Sequence, residues 1–80
     1  MIDYLEEVKK IIAKQFELEE ETIDEESYLE SDLNITELDL EDLIAQLEDK
    51  YELEIPQDVY SKFKTVSDIA NYLYENAASA

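Results

Sequence analysis

The chain has 80 residues, with 23 acidic side chains against six positive ones, all lysine, and a net charge of −17. It has no cysteine and no histidine, so disulfides, thiolate metal sites, the usual neutral-pH general base and the commonest zinc ligand are all excluded. So acidic a surface repels phosphate backbones, and no apolar run approaches the ~20 residues needed to span a bilayer. These features predict one small domain over residues 1–80, a monomer without nucleic-acid or membrane partners. With no signal peptide visible at the acidic N-terminus, the expected location is the cytoplasm. An apolar fraction of 45%, regularly placed, argues against disorder.

The first helix is expected to start at Asp3, with Glu6 placed to complete a capping box, and to carry Leu5, Val8, Ile11, Ile12 and Phe16 on one face. From Glu17 to Ile35 the helical period lapses into dense charge. Leu18, Ile23, Tyr28, Leu29 and Leu33 recur in this stretch, which predicts a long loop pinned across the core, with a short helical turn near Glu19–Thr22. Thr36, with Asp39 three residues on, opens a second helix whose apolar side is Leu40, Leu43, Ile44, Leu47 and Tyr51. Glu37, Asp39, Glu41 and Asp42 crowd its positive end, where the helix dipole favours them. Pro56 suits the first turn of a short third helix running to about Phe63. Thr65 with Asp68 opens a last helix carrying Val66, Ile69, Leu73 and Tyr72, followed by a frayed tail over Ala77–Ala80. The six tyrosines are expected at the core edge with their hydroxyls in water. The pattern is all-α: a four-helix bundle with one short member and a long loop between helices I and II.

Charge points to partners. Between Lys14 and Lys50 there are fifteen acidic residues and no positive one, a surface that favours proteins with basic patches. The acidic clusters, including Glu19, Glu20, Glu21, Asp24, Glu25 and Glu26, suit weak, screening-type divalent cation binding. No stretch has EF-hand spacing and the chain lacks glycine, so no specific metal site is expected. The second helix supplies the expected partner-binding residues, Glu37, Leu40, Glu41, Ile44 and Glu48. Ile35 is assigned to core packing. Without His, Cys or Arg, enzymatic activity is not expected.

The run Ser31–Pro56 resembles the central segment of an acyl carrier protein, and the resemblance covers nearly the whole chain without a gap. Val8–Ile23 resembles that family's first helix and loop start, and Asp32-Leu33 the pair before its attachment site. Leu47–Pro56 resembles its acidic run ending in Glu-Ile-Pro. Lys64-Thr65-Val66 and Asn71-Tyr72-Leu73 resemble its last helix. The resemblance implies a bundle whose second helix starts with Asp-Ser-Leu, the serine hydroxyl bearing a phosphopantetheine arm. Here Thr36, Glu37 and Leu38 stand at those positions. The family usually has Gly, a small residue, Asp and Ser before the leucine, against Asn34, Ile35, Thr36 and Glu37 here. Asn34-Ile35 are expected to alter the approach to the helix, Thr36 replaces the family's Asp, Glu37 has no hydroxyl, and the arm is expected to be absent. Ser31, Ser27, Ser61, Ser67 and Ser79 lie outside the helix start and are poor substitutes.

The expected function is therefore a non-carrying interaction module of acyl-carrier-protein type. Its partners would be fatty-acid or polyketide enzymes that dock ordinary carriers on helix II. The alternatives are a working carrier with an unrecognised attachment residue and an unrelated acidic adaptor.

Overall fold

Three of the four helices start at a side-chain cap that the sequence places there. In the computed structural model, which describes residues 3–77, the chain forms α1 (Tyr4–Phe16), α2 (Glu37–Tyr51), α3 (Gln57–Tyr60) and α4 (Val66–Asn76), with a 3₁₀ turn at Glu20–Thr22. Among these residues there is no strand, only an isolated antiparallel bridge between Tyr28 and Thr65. Thr36 and Thr65 each form a full capping box, with Asp39 and Asp68 respectively. At α1 the box is half made: the Asp3 side chain accepts from the Glu6 N–H at 3.2 Å, while the Glu6 carboxylate reaches Lys9 at 3.7 Å instead. Pro56 precedes the single turn of α3, which ends at Tyr60 and not near Phe63. Ala77 caps α4 through its N–H to the Leu73 carbonyl at 2.8 Å, and the rest of the expected tail, 78–80, lies outside the described residues.

Two helices end without the residue that ends helices most easily. Glu17 and Glu52 close α1 and α2 in the left-handed conformation, at φ 54° and 53°. That backbone costs a residue with a Cβ roughly 1–2 kcal/mol, partly offset in glycine by its greater freedom when unfolded. Replacing Glu52 with Gly is expected to stabilise the fold by about 0.5–1 kcal/mol, raising Tm by about 2–8 °C. Glu52→Gln, which removes the charge but keeps the Cβ, should recover less than half of that rise in a thermal melt.

The core is one cluster. Val8 and Ile12 of α1, Leu43, Ile44 and Leu47 of α2, and Val66, Ile69 and Leu73 of α4 are its deepest members. The helix pair α1 and α4 makes the closest approach. The long loop is pinned as expected by Ile23, Leu29 and Leu33, all buried, with Leu18 packed at the edge. Tyr28 departs from that expectation and is 55% exposed. Extended backbone turns successive side chains to opposite sides, so burying Leu29 sends Tyr28 outward. The loop's backbone is tied to the α3–α4 connection: Leu29 N–H to Lys64 O at 2.9 Å, Val66 N–H to Ser27 O at 3.1 Å, and Ser67 N–H to Glu25 O at 2.9 Å.

The tyrosines do not all sit at the edge with free hydroxyls. Tyr4 is buried, with its ring edge-to-face against Tyr51 (5.4 Å between centroids) and Tyr74 (5.0 Å). The Tyr51 hydroxyl donates to Glu7 at 3.3 Å, and Lys50 meets the same carboxylate at 2.9 Å. The Lys50 bond holds the Glu7 carboxyl below its ordinary range. Burial first, then the Glu7 charge, pushes the Tyr51 phenol from 10.0 up to about 12. The folded chain thus keeps the Tyr51 proton where the unfolded chain loses it, so stability should fall as pH rises from about 10 to 12. Tyr51→Phe should flatten that part of the stability curve, measured by urea unfolding across this range.

Candidate functional site

The start of α2 forms one wall of an open groove of about 680 Å³. Glu37, Leu40 and Glu41 line it from α2, Glu30 and Ser31 from the loop, and Gln57, Tyr60 and Ser61 from α3 and its C-terminal end. Ile35 and Phe63 contribute apolar surface and Lys64 a single positive charge. The Tyr60 phenol is raised above its ordinary value, first by burial and then by the Glu48 and Glu41 carboxylates of α2.

Glu37 is the first residue of α2, placed there by a frame of three neighbours. Asn34 takes a positive φ of 58°, and its N–H donates to the Glu30 carbonyl at 3.0 Å. Ile35 is buried, and its N–H donates to the Leu29 carbonyl at 2.8 Å. Thr36 Oγ1 accepts from the Asp39 N–H at 3.2 Å while Asp39 accepts from the Thr36 N–H at 3.3 Å. The Glu37 side chain itself is exposed.

The five partner-binding residues expected from the sequence do not behave alike. Glu37 and Glu41 are exposed at the groove, and Leu40 is half-buried in its wall. Ile44 is 0% exposed and belongs to the core, so it offers no surface to a partner. Glu48 is half-buried, and its carboxylate accepts from the Ile55 N–H at 2.8 Å, tying down the turn after α2. The physical reason is shared. Glu37, Glu41, Ile44 and Glu48 lie along one stripe of the helix, whose first half is exposed at the groove while its second half enters the core at Ile44 and meets the α2–α3 connection at Glu48. The outward stripe of α2 is Leu38, Asp42, Ala45 and Asp49, all exposed. Leu38, 74% exposed, was missed by the sequence reading although its signal was present: it lies well off the apolar side defined by Leu40, Leu43 and Leu47.

Residues 6–73 match the family model described as "Phosphopantetheine attachment site". The chain belongs to the acyl carrier protein family. It is 35% identical over 75 residues to the acyl carrier protein of Helicobacter hepaticus, covering 94% of this chain and 99% of that one. It is 37% identical over 73 residues to that of Brachyspira hyodysenteriae, covering 90% and 94%. The solved structure of the acyl carrier protein from Enterococcus faecalis superposes with a TM-score of 0.77 at 27% identity, over 91% of this chain and 92% of that one.

Each residue that departs from the family pattern before Leu38 has a structural role of its own. Asn tolerates positive φ better than most residues with a Cβ, so Asn34 can form the turn seen here. Ile35 fills core space where the family has a small side chain, and Thr36 caps the helix where the family has Asp. The backbone frame around Glu37 therefore needs no serine and no glycine to form. Among the described residues no three carboxylates converge on a point that could hold a metal ion, and no helix is long and apolar enough to cross a membrane.

Proposed function

We propose that this protein is a non-carrying member of the acyl carrier protein family, a cytoplasmic interaction module that docks on fatty-acid or polyketide enzymes without a phosphopantetheine arm. The observation that carries the reading is the frame at the α2 start: turn, core anchor and cap are in place, and the residue they present is Glu37, which has no hydroxyl. Its carboxylate adds fixed negative charge where a loaded carrier has a phosphodiester. Partners with Lys and Arg patches are drawn to this end of the molecule, and the exposed Leu38 supplies apolar contact beside the charge. Weak binding of divalent cations to the same acidic surface follows from its charge. The test is incubation with coenzyme A, Mg²⁺ and a broad-specificity phosphopantetheinyl transferase, followed by intact mass. The expected mass is unchanged.

A second reading has one observation in its favour. Ser31 and Ser61 line the same groove as Glu37, so a carrier using an atypical acceptor would present its arm from nearby. The same mass experiment separates the two, because an adduct mapped to either serine supports this reading against the first.

Docking itself is read by charge reversal. Glu41→Lys and Asp42→Lys should slow association with a basic carrier-processing enzyme severalfold at low ionic strength and make its salt dependence shallower. Glu75→Lys, an exposed change on α4, should do much less. Glu48 is unsuited to this test because its carboxylate holds the Ile55 N–H. Equal effects at all three positions would leave only a diffuse field.

A further inference from the structure

Positive charge in this chain is not scattered. Lys9, Lys10 and Lys14 lie on α1 and Lys50 on α2, four of the six lysines on two neighbouring helices. Lys10, Lys14 and Lys50 line a shallow groove of about 530 Å³, shared with Ile11, Gln15 and Gln46. None of these residues lines the groove at the α2 start.

We infer that this lysine-lined groove between α1 and α2 is a second docking surface, taking a short carboxylate-bearing segment of a partner protein. This goes beyond the family role proposed above and does not rest on it. Three features support it. Lys10 and Lys14 are one helical turn apart on α1 and make no ion pair among the described residues, so their charges are available. Lys50 extends the same positive edge from α2, although Glu7 already holds it at 2.9 Å. Ile11 gives the groove an apolar wall, and the Gln15–Gln46 side-chain hydrogen bond bridges the two helices beside it.

The range of electrostatics chooses the occupant. The Debye length is about 8 Å at physiological ionic strength, so a segment with a few carboxylates senses mainly these lysines once it is seated. A long polyanion would extend beyond them and meet the rest of a chain whose net charge is −17. The lysines sit along helix sides and not at a helix N-terminus, so no array of free backbone N–H groups is present to favour phosphate. A second copy of this chain is disfavoured by the same net repulsion.

The probe is acetylated hexaglutamate, titrated into the full-length protein at about 0.15 M ionic strength and followed by amide chemical shifts. Saturable shifts are expected at Lys10, Lys14, Gln15, Gln46 and Lys50. The double variant Lys10→Gln, Lys14→Gln should weaken the apparent affinity by about fivefold or more. Lys62→Gln, outside the groove, should change it by less than about 1.5-fold. Unchanged amide-shift dispersion in the double variant confirms that the fold is intact. Absence of saturable shifts, shifts mapping elsewhere, or equal losses in the Lys62 variant would overturn the site. Tighter binding of a single-stranded oligonucleotide of equal charge would overturn the choice of a protein segment, as would concentration-dependent shifts in the protein alone, which would mark a second copy.

Discussion

Glu37→Ser is expected to convert an unlabelled protein into one that accepts phosphopantetheine, the largest single change in behaviour available to this chain. Attachment requires a serine oxygen to attack the pyrophosphate of coenzyme A, displacing the nucleotide portion, losing its proton and leaving a phosphodiester. Glu37 cannot form that bond stably, because a carboxylate attacking phosphorus gives a labile acyl phosphate. The rest of the helix start is formed without a serine at this position. Asn34 supplies the positive-φ turn, Ile35 anchors it in the core, and Thr36 caps α2 through Asp39. The exposed position at the first residue of α2 is where an incoming transferase can reach an oxygen. Thr36→Asp added to Glu37→Ser should label faster, because it restores the family's negative charge at the cap without altering the capping bond. Intact mass on the three forms reads the result. If the folded Glu37→Ser variant stays unlabelled while the double variant labels, the cap's charge is what the transferase requires. If neither labels, this end of the chain has lost its recognition by transferases altogether.

Melting temperature should rise by about 8–16 °C between 0.01 and 0.5 M NaCl. In water two like charges 10 Å apart repel by roughly 0.4 kcal/mol, and a net charge of −17 leaves a large excess of like over unlike pairs. Folding gathers them within a radius of gyration of 11.5 Å. At 0.01 M the Debye length is about 30 Å, so nearly every charge feels every other; at 1 M it is about 3 Å. Only two ion pairs offset this among the described residues, Lys9–Glu6 and Lys50–Glu7. Relief of about 2 kcal/mol corresponds to roughly 8–16 °C in a domain of this size. Millimolar Mg²⁺ should raise Tm further at equal ionic strength, since a divalent ion condenses more strongly on clustered carboxylates. A Tm indifferent to both salts would mean that the unfolded chain suffers the same repulsion. Hydrogen exchange at low salt should be fastest in the loop at 17–35, whose acidic side chains lie on backbone held by scattered single bonds.

The helices and their caps were legible in the sequence because they are local. Thr36 with Asp39 and Thr65 with Asp68 each need only a three-residue spacing, and the period of Leu40, Leu43, Leu47 and Tyr51 identifies the buried side of α2 without knowledge of its partners. The absence of a hydroxyl at Glu37 is likewise written in the chain and owes nothing to the fold. What remained hidden is how the acidic and apolar residues divide between surface and contact. Ile44 and Glu48 read as an accessible face of an acidic helix until the α2–α3 connection is laid over them, one entering the core and the other receiving the Ile55 N–H. Leu38, by contrast, lies opposite the side of Leu40, Leu43 and Leu47, so its exposure was legible from spacing alone. The positive φ of Asn34 is visible only in the fold, because a backbone dihedral cannot be read from residue type alone. Spacing along one helix determines which residues share a side. Which side another segment covers is decided by contacts between residues distant in sequence, and those exist only in the tertiary structure.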